Sequence, residues 1–404
     1  MTQGTRLRPG LLRGMLGAST MLSAALFGAI PAAHAFNPPT PITIDGGPLG
    51  PLNLSGGADG YGYLVSGTGS DTSPGLLGTD KTAGAEFLNG EIMLSKTTGL
   101  VQFALEAAAI NALTLGTKPG APSIQTFSTG PIRTATITLA PLPGLTISAG
   151  QMASLEGYES GLDWGNANLL NTDLFYVENS QSVGVSASYT LGPVAATVMF
   201  GDGFDTNQWN FLQWLVTYTV NSNNAVSFFG GTNLGSTGLG AHIYGSATTP
   251  WDKSFVAGYG SNYVNSTMFG GYYSFTAGNL TLVPEVQYVY AKPNSSVGIP
   301  SYTSNFGAAL FANYQFGKSP YSLGAWVQYF TSNGPSNWFL NPGAEGVGLS
   351  ITPTWQGKNL FVRADLGYIH LTNIGRTDMG AVGYGSGLTG RDQVTAVLEA
   401  GVLF

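Results

Sequence analysis

The sequence predicts an all-β protein, a transmembrane antiparallel β-barrel of about eighteen strands, with sixteen as the alternative count. Three observations carry that prediction. Apolar side chains recur at every second position in segment after segment, and short and long connections alternate between these segments. Beyond the amino terminus, no stretch holds the roughly 18 apolar residues that a spanning helix needs, so a membrane crossing has to be made by a closed sheet. Composition agrees: charged residues make up 9% of the chain, against about 25% in a soluble globular protein, while 59 of the 404 residues are Gly and 12% are aromatic. That mixture suits strands with one face on lipid and one on water, joined by turns. The chain has no Cys, which excludes a disulfide framework and a thiolate metal site, and no cofactor or metal is expected.

Taken in order, the first element is a leader. Arg6, Arg8 and Arg13 precede an apolar or small run from Met15 to Ile30, and Ala33-His34-Ala35 supplies a small-x-small cleavage signal, so residues 1–35 read as a removable signal peptide. A membrane anchor fits less well, because Ser19, Thr20 and Ser23 interrupt the short apolar run. Residues 36–51 read as a short periplasmic tail, Pro-rich and Gly-rich, too small to plug a lumen. Residues 52–404 read as the barrel.

Within the barrel, Val101, Phe103 and Leu105 alternate with Gln102 and Glu106, and Leu360, Val362, Ala364, Leu366 and Tyr368 with Arg363 and Asp365. Short connections fall at 97–99, 191–193, 221–224, 278–279, 317–320 and 357–359. Longer polar stretches at 66–81, 114–130, 153–180, 332–344 and 372–390 lie between them, the asymmetry of a barrel with turns on one side of the membrane and loops on the other. An even count places both termini on the turn side. The first strand, near Leu52 to Val65, and the region from Asn224 to Lys253 are the weakest parts of that count. In the segment 321–331, Tyr321 and Tyr329 bracket Leu323, Ala325 and Val327, a spacing of roughly 27 Å along a strand that fits two interfacial aromatic girdles. The final strand, Gln393 to Phe404, puts Val394, Ala396, Leu398, Ala400, Val402 and Phe404 on one face. It resembles the closing strand of bacterial outer-membrane barrels, and the resemblance implies recognition by the barrel-assembly machinery.

Three short motifs extend that likeness: Gly157-Tyr158-Glu159 after an upward strand, Val183-Gly184-Val185 opening the next, and Asp202-Gly203-Phe204-Asp205, where Asp202 stands in place of a common Asn. On these residues the chain resembles the OmpL-like β-barrel porins of Gram-negative bacteria. The resemblance implies an outer-membrane location, contact with outer-membrane lipids and lipopolysaccharide, and a water-filled channel for small hydrophilic solutes. A homotrimer is the expectation by analogy with general porins.

Parity nominates the residues that would face the channel: Gln102, Glu106, Arg133, Glu285, Gln287, Arg363, Asp365 and Glu399, with Arg363 and Asp365 close enough along one face to pair. The long connection 153–180 carries Glu156, Glu159, Asp163, Asp173 and Glu178 without a Lys or Arg, together with Tyr158 and Trp164. It reads either as a constriction folded into the lumen, which would favour cations, or as an exposed loop kept solvated by its acids. The formal net charge of −7 points toward cations too, and the leader carries three of the 14 basic residues. No basic stripe suggests nucleic acid. A barrel-wall hydrolase needs a positioned base, and after the leader the chain offers only His242 and His370, neither in a catalytic motif. No catalytic residue is nominated. A sealed structural or adhesin-like barrel is the main alternative to a channel.

Overall fold

The computed structural model describes residues 38–120, 131–179, 181–238, 260–376 and 382–404. The expected signal peptide and His242 lie outside the described residues.

Among the described residues the chain forms seventeen strands in one antiparallel sheet. A short β1 (Ile42–Asp45) is followed by β2 (Pro51–Val65), β3 (Ala83–Lys96), β4 (Val101–Ala109), β5 (Ile132–Leu142), β6 (Leu145–Ala153), β7 (Gln181–Leu191), β8 (Val194–Gly201) and β9 (Phe211–Asn221). The second half comprises β10 (Asn224–Asn233), β11 (Ser266–Ala277), β12 (Leu280–Ala291), β13 (Thr303–Gln315), β14 (Tyr321–Asn333), β15 (Glu345–Gln356), β16 (Leu360–Asn373) and β17 (Asp392–Leu403). Each strand from β2 onward pairs with the next, and β17 pairs with β2 from Thr395↔Val65 to Leu403↔Gly57, so sixteen strands close into a barrel. The expected closed antiparallel barrel is present, with the sixteen-strand alternative as its count. Of the two weak parts of the count, the first is a wall strand, β2, and after Asn224 β10 pairs directly with β11 from Asn224↔Phe275 to Thr232↔Thr267, leaving no place in the wall between them.

Strand β1 lies outside the ring. It pairs with β2 from Ile42↔Leu54 to Asp45↔Pro51, on the edge of β2 that β17 leaves uncovered below Gly56. Strand β1 thus satisfies backbone groups of β2 that β17 does not pair.

Every short turn expected from the sequence joins consecutive strands, and Pro143-Gly144 adds one more, with Gly144 at φ +80°. The outer face is apolar, as lipid requires: Ile137, Val327, Leu366 and Leu398 are among its most exposed residues. Tyr321 sits directly across from Trp355 at the turn end, and Tyr329 and Tyr368 lie toward the loop end, so the two aromatic girdles are present. His370 is on this outer face, its Nδ1 2.8 Å from Asp392 Oδ1, which also accepts from the Tyr368 hydroxyl. It is an interfacial polar group.

The inner face is unusual for a wide barrel because it is packed. Inward residues such as Ser350, Thr352, Gln287, Gln393 and Phe330 are buried, and an apolar cluster joins wall residues Phe229, Trp326, Phe330 and Ile369 to loop residues Leu77, Leu115, Leu170, Leu174, Trp338 and Tyr384. The loops that read as polar carry enough apolar side chains to drive them into the barrel, where they leave water.

Candidate functional site

The segment after β6 runs through the lumen. Gly157, at φ +73°, redirects it, and a Cβ there would collide with the Glu178 carboxylate, so glycine meets both a backbone and a space requirement. On entry, the Ser154 hydroxyl and the Leu155 amide donate to Gln213 Oε1 of β9 at 2.9 and 3.1 Å. At its far reach, a single 3₁₀ turn, Asp163–Gly165, meets the barrel seam. There Asp163 accepts from Arg363 of β16 and from Asn89 Nδ2 of β3, and Trp164 Nε1 donates to Asp59 Oδ2 of β2 at 2.5 Å.

The return path is held as closely. Asn168 Nδ2 donates to Ser350 and Thr352, the Leu169 and Leu170 amides donate to Asp365 Oδ2 at 3.1 and 3.0 Å, and Trp326 Nε1 donates to the Leu170 carbonyl. The helical turn Asp173–Tyr176 is fixed by its Asp173 amide donating to Gln328 and its Leu174 carbonyl accepting from Gln287. Buried backbone groups must find partners, and here the partners are wall side chains from β9 round to β16. A second loop joins from beside it: the Asn171 amide donates to the Leu113 carbonyl and the Leu115 amide to the Asn171 carbonyl.

Wall glycines make room for this traffic. A Cβ on Gly307 would lie 2.8 Å from Leu174 Cδ1, one on Gly367 2.6 Å from Leu115 Cδ1, and one on Gly324 would strike the Ala167 carbonyl. Gly324→Val should therefore prevent seating without altering any charge. The expected result is faster limited proteolysis within 154–179 while the barrel itself stays folded; unchanged cleavage would show that the wall does not need this gap.

Each nominated residue has a defined place. Glu106 accepts from Thr134 and lies 3.5 Å from Arg133. Tyr158 packs at a tilt against Tyr272 and Phe311, with ring centroids 5.5 and 5.2 Å apart. Glu156 accepts from the Asn179 amide, Glu159 from the amide and hydroxyl of Thr172, and Asp173 from Asn305 Nδ2. Glu285 points inward from β12 and is buried beside the loop. The expected pairing of Arg363 with Asp365 does not occur. Arg363 reaches Asp163 of the loop and Glu399 directly across on β17, while Asp365 is taken by Ser350 and Thr352 of β15 and by two loop amides, so neighbouring strands and the incoming segment together supply their partners.

The acids of the loop are electrostatically strained by this enclosure. Burial pushes Glu156 up to about 7, and Glu159, part of whose surface borders a small cavity, up to about 8. Glu178 and Asp173 are held well above the usual carboxylate range, first by burial and then by neighbouring carboxylates. The cavity beside Glu159, lined also by Asn166, Asn168 and Phe311, has about 10 Å³ of free volume, enough for one water.

Sequence reasoning did not nominate Asp59, Asn89, Asn168 or Gln328, which anchor the loop. A signal was present: Leu162, Leu169, Leu170 and Leu174 make the segment too apolar for an exposed loop, and buried backbone requires polar wall partners.

A closed sixteen-stranded barrel with an apolar girdled exterior and an inward loop defines the porin class of outer-membrane proteins. The sequence profile described as "Putative beta-barrel porin-2, OmpL-like" matches residues 51–404, and the chain belongs to that family. Its fold is similar to that of the Vibrio cholerae outer membrane protein OmpT (TM-score 0.55, 13% identity, 88% of this chain and 98% of that one). It is similar as well to an anion-selective porin from Comamonas acidovorans (TM-score 0.56, 9% identity, 87% and 99%) and to the outer membrane channel DcaP of Acinetobacter baumannii (TM-score 0.56, 12% identity, 87% and 97%). At these identities the likeness concerns the fold. No curated protein matches the chain in sequence.

Proposed function

We propose that the protein is a narrow diffusion porin for small hydrophilic solutes with a mild preference for cations. The observation that carries this reading is the segment 154–179, which brings five carboxylates and no Lys or Arg into the lumen of a porin barrel. Low-dielectric walls focus their field on ions that pass. The packing around the loop argues for a small bore. In planar bilayers the purified protein should show low single-channel conductance and a reversal potential on the cation side, strongest at low salt. A bilayer that stays silent across many insertions would instead favour a sealed structural or adhesin-like barrel, the reading that the packed lumen supports.

The same reading makes residues 1–35 a cleaved leader and outer-membrane lipid and lipopolysaccharide the surroundings of the wall. It extends, by analogy with general porins, to a homotrimer, which native mass spectrometry in detergent would check.

Phe404 is the proposed contact with the barrel-assembly machinery. Its amide donates to the Gly56 carbonyl at 2.9 Å and its carbonyl accepts from the Gly56 amide at 3.1 Å, the last rung of the seam. Deleting it should sharply reduce heat-modifiable protein in outer membranes while leaving the conductance of the molecules that do fold unchanged. Normal folded levels in the deletion strain would refute that role.

A further inference from the structure

We propose that Asp59, Asp163 and Glu399 form a binding site for one calcium-sized divalent cation that staples the barrel seam to the inward loop. This site is independent of whether the pore conducts.

One oxygen from each of the three carboxylates lies within 4.8 Å of the others, and all three residues are buried. A cation that takes oxygen ligands at about 2.3–2.6 Å separates opposed ligand atoms by about that distance. Charge makes the second argument. Arg363 is the cation that the structure brings into contact with this trio, donating to Asp163 and, at 2.5 Å, to Glu399 Oε2. With all three ionised, three carboxylates against one guanidinium would leave two negative charges without a counter-charge among the described residues, in a place that water does not reach, and a divalent ion would balance them. The third observation concerns a single atom. Glu399 is fully buried, and its Oε1 has no hydrogen-bond partner, although its other oxygen is held by Arg363. A buried acceptor left open beside two further carboxylates is the expected appearance of a ligand position.

The neighbouring donors fit that reading. Asn89 donates its backbone amide to Asp59 Oδ1 at 2.9 Å and its side-chain amide to Asp59 Oδ2 and Asp163 Oδ1, and Trp164 Nε1 holds Asp59 Oδ2, so Asp59 is oriented by groups that carry no charge, while Arg363 orients the other two. The ligands come from three places far apart in the chain. Asp59 is on the first wall strand, Glu399 on the last, and Asp163 at the tip of the loop. The site is complete only when the barrel has closed and the loop has docked, so the ion would stabilise both at once.

Trp164 provides the test, because an indole in contact with a ligand carboxylate transfers excitation to bound terbium(III), a calcium stand-in. Refolded full-length protein in detergent, first treated with a chelator, should show saturable tryptophan-sensitised terbium emission that calcium displaces. Asp59→Asn and Glu399→Gln should each weaken terbium binding by at least tenfold. Trp164→Phe should abolish the emission yet retain calcium binding by calorimetry, which separates loss of the sensitiser from loss of the site. If either carboxylate variant fails to refold, the other serves, and calcium should raise the wild-type unfolding temperature relative to chelator. Absence of saturable binding to folded wild type, or binding unchanged in a folded Asp59→Asn or Glu399→Gln variant, overturns the proposal and leaves shared protons to balance the cluster.

Discussion

Arg363→Ala should destabilise the folded barrel by about 3–5 kcal/mol and free the tip of the inward loop. The guanidinium is fully buried, donates to Asp163 and Glu399, and also supports the loop backbone through the carbonyls of Asp163 and Asn166 at 3.2 and 3.3 Å. Removing it strands at least two carboxylates in a dry site, and the cost of an unpaired buried charge exceeds what the intact pair contributes. The urea midpoint of the barrel, followed by tryptophan fluorescence, should fall with the m-value little changed. Conductance should rise, since the segment that fills the seam side of the lumen loses its anchor. Arg363→Lys should recover part of the stability, because an ammonium keeps the charge but cannot bridge two carboxylates in one plane. Wild-type stability in a folded Arg363→Ala protein would show that the loop is held by its apolar contacts alone.

The second large effect expected is with pH. Glu156 and Glu159 have ordinary values near 4.5 that burial raises to about 7 and about 8 in the docked loop. A carboxyl whose value is raised on docking binds its proton more tightly in the docked state than in the released one. Docking is therefore favoured in full below about pH 4.5, loses ground as pH climbs through the window between 4.5 and 8, and changes no further above it. For Glu156, almost entirely buried, the displacement corresponds to about 3 kcal/mol across its part of the window. Amide exchange within residues 154–179, corrected for the intrinsic pH dependence, should accelerate between pH 5 and 8.5, and channel conductance should rise with it. Glu156→Gln combined with Glu159→Gln should keep the loop docked and flatten both profiles. Protection that increases with pH, or a double variant whose profile matches wild type, would contradict the burial argument. Cation preference should grow in the same direction, because the acids that ionise are those that enter the bore.

Local periodicity and turn chemistry are legible in the chain without its partners in space. The outer face from Leu360 to Tyr368, the girdle residues Tyr321, Tyr329 and Trp355, the turn at Gly278-Asn279 and the closing strand into Phe404 all follow from a period of two and from the conformations that turns require. The acidity of 153–180 was equally plain. The strand count was less secure around Asn224, where only the ladder between β10 and β11 shows which strands are neighbours.

What the inward residues touch depends on contacts between segments far apart in the chain. Parity places Arg363 and Asp365 on one face, but a partner is chosen in three dimensions, and each takes it from a loop 200 positions away for Arg363 and 196 for the Leu169 amide at Asp365. Parity also places Asp59 inside without revealing that Glu399 closes beside it, since that contact depends on the last strand meeting the first. The direction of the loop rested on its leucines rather than its acids. Charged side chains mark a surface only when water can reach them, and here the burial of Leu169, Leu170 and Leu174 draws Asp163, Asp173 and Glu178 into the barrel with them.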